Sequence, residues 1–239
     1  MLENDTVERV LVITAHPDDL DFGAAGTIAG WVEEGISVTY CIITDGDAGG
    51  ADPTVPRGDI AGIRQAEQRA AGAVLGVSDI RFLGYRDGEL TVTHDLRRDL
   101  SRVIRQVRPQ RVLMQSPDRN WKRIYASHPD HLAAGEATIF AIYPDARNPF
   151  AHTSLIKDEG LEDWTVDEVW VMGSPTSNHY VDVTDKFEMK LAALHAHASQ
   201  TAHMDDLAGR ITGWLSAQAA EAGLPEGRLA EAFMVADTA

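Results

Sequence analysis

Val10–Ala15 is an unbroken apolar run rich in β-branched residues, with polar sequence before it and His-Pro-Asp-Asp behind it. A run that short and that branched predicts a buried strand ending at a polar turn. In Gly26–Glu34, Ile28, Ala29, Trp31 and Val32 recur at near-helical spacing, and Gly35 follows as a terminating glycine. Ser37–Thr44 predicts a second strand. Asp59–Leu75 predicts a helix that turns Ile63, Ala66, Ala70, Val74 and Leu75 to one side, closed by Gly76. The alternation continues with a strand at Ile80–Leu83, a helix at Leu96–Val107 stopped before Pro109, and a strand at Arg111–Gln115. A helix at His131–Ile142, strands at Glu168–Met172 and Tyr180–Val183, and a helix at Lys186–Ser199 complete the reading.

Short apolar strands alternating with amphipathic helices predict an α/β fold, in which helices cover both faces of a mostly parallel, Rossmann-like sheet. With 239 residues the chain suits one domain, 1–239, better than two independent cores. There is no internal repeat. The longest irregular stretches are Gly46–Gly58, Ser116–Ser127 and Pro144–Trp164. So much loop is uncommon in a compact domain unless it shapes a site. Open parallel sheets bind ligands beyond the carboxyl ends of their strands, where the polar clusters of this chain fall.

The formal net charge is −16, which repels nucleic-acid phosphates and anionic lipids and removes both as general partners. A small anionic ligand held by a local arginine stays compatible with it. No apolar stretch approaches the roughly 20 residues of a membrane span. The one cysteine, Cys41, lies in the apolar run Val38–Ile43 and reads as a buried structural thiol. No internal disulfide can form, and Met1–Arg9 lacks an apolar leader core, so a cytoplasmic setting is expected. A homo-oligomer is compatible with the chain.

Two segments bear the chemistry: Ala15-His-Pro-Asp-Asp-Leu-Asp21 and Ser127-His-Pro-Asp-His131. Each puts imidazole and carboxylate within a few residues of a proline that stiffens the turn. A hydrolytic zinc site uses about three His, Asp or Glu ligands and leaves a position for water. His16 and Asp19, three residues apart, can aim at one point, and His131 can complete the set from another strand end. The same ligands accept other divalent transition metals. A dinucleotide module would instead place Gly-x-Gly-x-x-Gly after the first strand.

These two motifs closely resemble the signatures of the PIG-L/LmbE-type de-N-acetylases. Thr44-Asp-Gly-Asp-Ala-Gly49, Arg64-Gln-Ala-Glu67, Phe82-Leu-Gly-Tyr-Arg-Asp-Gly88, Lys190-Leu-Ala-Ala-Leu and His197-Ala-Ser-Gln200 agree with it, so the likeness spans roughly residues 8 to 235. Leu20 follows the paired aspartates, and Asp21 supplies an acid one step later. The resemblance implies zinc ligands at His16, Asp19 and His131 and a general base at Asp18. It further implies an oxyanion-stabilising general acid at His128, oriented and charged by Asp130, and substrate contacts from Arg64 and Asp87. A metal lowers the pKa of bound water, a carboxylate takes its proton, and a leaving amine needs an acid.

The reaction expected is hydrolysis of an N-acetyl group from an amino sugar, such as an N-acetylglucosamine unit, in a small glycoconjugate. Cleavage of a larger N-acyl group, as from a thiol-cofactor conjugate, is the alternative. A non-catalytic carbohydrate-binding protein on the same scaffold is a further one. His94, His152, His179, His195, His197 and His203 are expected as surface or packing residues. Trp121, Tyr125 and Trp164 are expected to pack within the long loops or to line a pocket.

Overall fold

The computed structural model describes residues 1–50 and 52–239. In chain order come β1 (Arg9–Thr14), α1 (Asp19–Glu33), β2 (Ser37–Thr44), α2 (Arg57–Val74), β3 (Asp79–Tyr85), α3 (His94–Val107) and β4 (Arg111–Gln115). They are followed by α4 (Pro129–Phe140), the short α5 (Thr153–Lys157), β5 (Glu168–Met172), β6 (His179–Asp182) and α6 (Phe187–Ala196). The one-turn α7 (Ala198–Thr201), α8 (Leu207–Glu221) and β7 (Ala230–Asp237) come last.

The seven strands form one sheet in the order β3-β2-β1-β4-β5-β7-β6. Neighbours from β3 to β5 are parallel, and β7 lies antiparallel to both β5 and β6. This is the expected mostly parallel, Rossmann-like α/β architecture. The chain lays strands outward from β1 to β3, then returns to place β4 on the other side of β1. That reversal opens a crevice at the carboxyl ends of β1 and β4. His16 follows β1, and His128 and His131 follow β4.

Strand residues alternate between two apolar layers. Val10, Val12, Tyr40 and Ile42 face α1, α2 and α6. Leu11, Ile13, Cys41 and Ile43 face α3 and α4. Cys41 is fully buried, and burial pushes its thiol up to about 12, as suits a structural thiol. Among the described residues, no helix is long and apolar enough to cross a membrane.

Several elements differ from the sequence reading. α1 starts at Asp19, not Gly26, because Leu20, Ala24 and Ala25 already pack against the sheet. α2 is rotated from the expected face: Ile63 is 47% and Val74 38% exposed, while Arg64, Gln68, Ala71 and Gly72 are buried. Two polar side chains occupy the inward stripe because the helix faces the site. Finally, α8 and β7 were not anticipated. α8 joins α6 in a third apolar cluster through Leu207, Ile211 and Leu215.

Candidate active site

The turn between β1 and α1 is built around Asp18, whose φ of 88° puts a non-glycine residue in the left-handed region. Such a conformation persists only where surrounding contacts over-determine it. Here the Asp18 N–H donates to Gln68 Oε1 at 2.8 Å, and its carboxylate accepts from Arg64 Nη2 at 2.9 Å. Asp19 opens α1, and its Oδ2 accepts the His16 N–H at 2.7 Å. In the second motif Pro129 starts α4, and His128 caps it by accepting the Asp130 N–H on Nδ1 at 3.2 Å. Helix α4 therefore begins before His131, because proline suits a first helical position whose N–H needs no partner.

The two turns converge. His16 Nδ1 lies 3.2 Å from His131 Nε2 and 3.3 Å from Asp19 Oδ2, while His131 Nε2 lies 3.0 Å from Asp19 Oδ1. Donors around a tetrahedral zinc at the usual bond lengths are separated by roughly 3.3 Å. The three side chains thus fit a small divalent cation, with the fourth direction toward a cavity that Asp19 and His131 line. A ring nitrogen of His128 shares the same space, within 4.8 Å of donor nitrogens of His16 and His131.

The charge balance agrees with that fit. Burial alone would lower His16, but Asp19, Asp130 and Asp87 outweigh it and hold the ring up to about 12. Burial also opposes a charged His131, yet Asp19 keeps it above the ordinary imidazole range. Asp19 in turn sits well below the usual carboxylate range despite its burial, through His131 and His16. Carboxylates so placed favour positive charge at this point, which protons or a divalent cation can supply. Asp18 is pushed up to about 6 by burial, with Arg64 opposing the shift.

The accessory residues are brought to the site in other pairings than expected. Asp130 does not orient His128 through its carboxylate. It accepts from Gly88 N at 2.7 Å and Leu90 N at 3.2 Å and meets His16 Nε2 at 3.1 Å. Asp87 lies 3.1 Å from the same His16 nitrogen and accepts the Ala48 N–H at 3.1 Å. Both carboxylates therefore face the back of a candidate ligand, an arrangement that fixes ring orientation and tautomer. His128 is half-buried, and burial, with the charges of His16 and His131, lowers it below the ordinary imidazole range.

Arg64 is not on an exposed face. Its guanidinium is buried and donates to Asp18, to Pro17 O at 2.5 Å and to Gly46 O at 3.0 Å. It positions Asp18 rather than standing free for a substrate group. His197, expected at the surface or in plain packing, is fully buried and pairs with Asp21 at 2.8 Å. Gln68 Nε2 donates to the same Asp21 oxygen at 2.8 Å. The sequence signal for this network was Asp21 itself, an acid on the inner side of α1. Tyr125 lines the cavity, Trp121 is exposed, and Trp164 Nε1 donates to Pro109 O.

The family model PIG-L, described as GlcNAc-PI de-N-acetylase, matches residues 11–142, more than half of the chain. The chain belongs to the PIG-L family. Among curated proteins, this PIG-L chain is 37% identical over 198 residues to diacetylchitobiose deacetylase of Thermococcus kodakarensis, covering 81% of the chain and 70% of that protein. It is 32% identical over 202 residues to a probable N-acetyl-alpha-D-glucosaminyl L-malate deacetylase of Bacillus anthracis, covering 81% and 82%. Among solved PIG-L-like structures, N,N'-diacetylchitobiose deacetylase from Pyrococcus horikoshii, complexed with its inhibitor MPG, aligns with a TM-score of 0.88. That match has 30% identity and covers 97% of this chain and 85% of the other.

Proposed function

We propose that the protein is a metal-dependent N-deacetylase that hydrolyses the acetamide of an N-acetylglucosamine unit in a small conjugate. The observation that carries this reading is the approach of His16 Nδ1, His131 Nε2 and Asp19 within 3.0–3.3 Å of one another beside a cavity. The relatives named above act on substrates that share an N-acetylated glucosamine and differ in what is attached to it. That supports the amino sugar as the common element and leaves the attached group to this chain's own cavity.

A divalent ion held by His16, Asp19 and His131 supplies Lewis-acid polarisation and acidifies water. Asp18 is the general base. Its carboxylate adjoins the ligand set, and Arg64 fixes one of its oxygens, so the other is directed by a rigid turn. Burial raises its proton affinity, with Arg64 restraining the rise, which brings a carboxylate towards the range where a base works near neutral pH. His128 stands with the ligands on the α4 side. Its Nδ1 accepts a backbone N–H, so the neutral ring carries its proton on Nε2, ready to donate to a developing oxyanion. The proton that Asp18 takes from water is the one the departing amine needs, so Asp18 returns it to the amine nitrogen and the neutral His128 ring stabilises charge without giving up its own proton. Asp130 and Asp87 hold His16 from behind, and the backbone donors at Gly88, Leu90 and Ala48 hold those carboxylates in turn.

The test is acetate and primary-amine release from N,N'-diacetylchitobiose and from simple N-acetylglucosaminides by zinc-loaded protein. Equal amounts of acetate and amine are expected, lost on exhaustive chelation and restored by the metal. Asp18→Ala retains the ion and loses on the order of 10²–10⁴ in turnover, the usual worth of a general base. Undiminished activity after chelation, or in Asp18→Ala, overturns the mechanism.

A further inference from the structure

The cavity beside His131 has a volume of about 620 Å³ and extends to α8, where Arg210, Ile211 and Trp214 line it. Pockets of that size enclose ligands larger than one acetamido sugar. The acyl group must lie at the Asp19–His131 end, so whatever is attached to the sugar lies toward α8. The charge of that wall departs from the rest of the molecule. The chain carries 37 acidic against 21 basic residues, yet Asp19 is the only acid lining the cavity among the described residues. Two arginines, Arg123 and Arg210, line it as well.

Neither arginine has an ion-pair partner within 4.0 Å among the described residues. The Arg123 guanidinium lies 4.4 Å from the Trp214 ring centroid and 5.0 Å from that of Tyr125. Its Nε donates to the Tyr125 hydroxyl at 2.8 Å. With Nε bonded to the Tyr125 hydroxyl and the Trp214 ring beside the guanidinium, the side chain keeps its two terminal amino groups for a ligand. Little rotamer freedom is left to lose when they bind. Arg210 and Trp214 are four residues apart on α8, a spacing that puts them on one face of the helix, and Arg210 and the Trp214 indole both line the cavity. That indole is itself held: with the Gln218 amide turned to donate to Ala230 O, its oxygen accepts from Trp214 Nε1 at 3.1 Å.

We infer that Arg123 and Arg210 form an anion-recognising subsite around Trp214, which selects N-acetylglucosaminides whose attached group carries a carboxylate or phosphate. The inference rests on the deacetylase reading for the orientation of the substrate. It adds a substrate class to that reading.

The experiment compares 4-carboxyphenyl and 4-carbamoylphenyl N-acetylglucosaminides, in both anomers, with the zinc-loaded full chain. The pair has nearly one shape and differs by one charge. A preference for the carboxylate of about 10- to 100-fold in kcat/KM, residing mainly in KM, is expected from one or two charge-assisted hydrogen bonds. It should shrink as salt is raised. Arg123→Gln and Arg210→Gln should each lower the ratio, and the double variant should bring it near one. Arg210 is exposed on α8, so its replacement does not threaten folding. A ratio near one in the unmodified protein, or a ratio that survives in the double variant, overturns the subsite. If neither compound is turned over, the deacetylase reading fails only where N,N'-diacetylchitobiose is left intact as well, and calorimetric titration of 4-carboxyphenyl glucosaminide decides the subsite alone. Binding lost in the double variant sustains it, and absent or unchanged binding overturns it.

Discussion

The Gln68 side chain makes two contacts of opposite sense: Oε1 accepts the Asp18 N–H and Nε2 donates to Asp21, each at 2.8 Å. Gln68, Asp21 and His197 are all fully buried, so this chain of bonds lies beyond competition from water. It ties the left-handed turn at Asp18 to the packing of α6 and α7. Gln68→Ala leaves the Asp18 N–H without a partner, at about 1–3 kcal/mol, and removes one of the two donors to Asp21 Oδ2, the other being His197. The expected result is a lower melting temperature and a fall in kcat, with KM and metal content kept, because the change moves Asp18 and not the ligands. Gln68→Glu keeps the acceptor and places a second carboxylate against Asp21. Adding Asp21→Asn reverses that hydrogen bond and should restore part of kcat, which a general packing defect would not allow. Steady-state kinetics with metal analysis checks both. At this scale the sequence was legible where chemistry is local. His16, Asp19 and His131 stood out because a proline stiffens each turn and fixes what its neighbours face. The partners of Asp130, Asp87 and Arg64 were not legible. Each is set by how the loops after β2 and β3 fold over the ends of β1 and β4.

Helix α4 lies so close to the end of β4 that a Cβ added at Gly135 would come within 2.6 Å of Gln115 O and 2.7 Å of Pro117 N. These are backbone atoms and cannot swing aside as the tip of a side chain can. The close approach sets the height at which His128 and His131 stand over the strand ends. Gly135→Ala is therefore expected to push the start of α4 outward, with overpacking that costs about 1–3 kcal/mol. Zinc affinity should fall along with stability, as metal titration followed by thermal melting would show; full affinity with unchanged melting would mean that α4 does not position His131. The strands Ser37–Thr44, Arg111–Gln115 and Glu168–Met172 have the bounds their apolar runs predicted. β7 was hidden for an identifiable reason. Its Glu231 reads as an outward polar position but is buried, accepting from Lys190 Nζ at 2.8 Å and from Gly26 N and Thr27 N. An antiparallel strand that buries an acid to cap the interior of α1 has no pattern that periodicity can recognise.

Across the whole molecule, the fold concentrates unlike charges at one end of an otherwise acidic protein. Asp18, Asp19, Asp87 and Asp130 gather around His16 and His131, while the far wall of the cavity presents two arginines. The carboxylates come from the turns after β1 and β3 and from the start of α4, so their mutual repulsion opposes closure of three separate segments. A cation at His16, Asp19 and His131 relieves that repulsion in the folded state, and the unfolded chain offers no preformed site for it. Binding to the native state alone adds about 2.7 kcal/mol at a free ligand concentration a hundredfold above Kd. For a chain of this length each kcal/mol moves the melting temperature by about 2–4 °C. Zinc at that excess should then raise the melting temperature of metal-stripped protein by about 5–10 °C. His131→Ala should abolish most of that rise, whereas Gln replacements at Arg123 and Arg210 should leave it intact, because they lie at the other end of the cavity. Calorimetry on stripped and loaded protein measures the shift without any substrate. A melting temperature indifferent to zinc would show that the carboxylates are neutralised by protons alone and that the three side chains do not form a metal site.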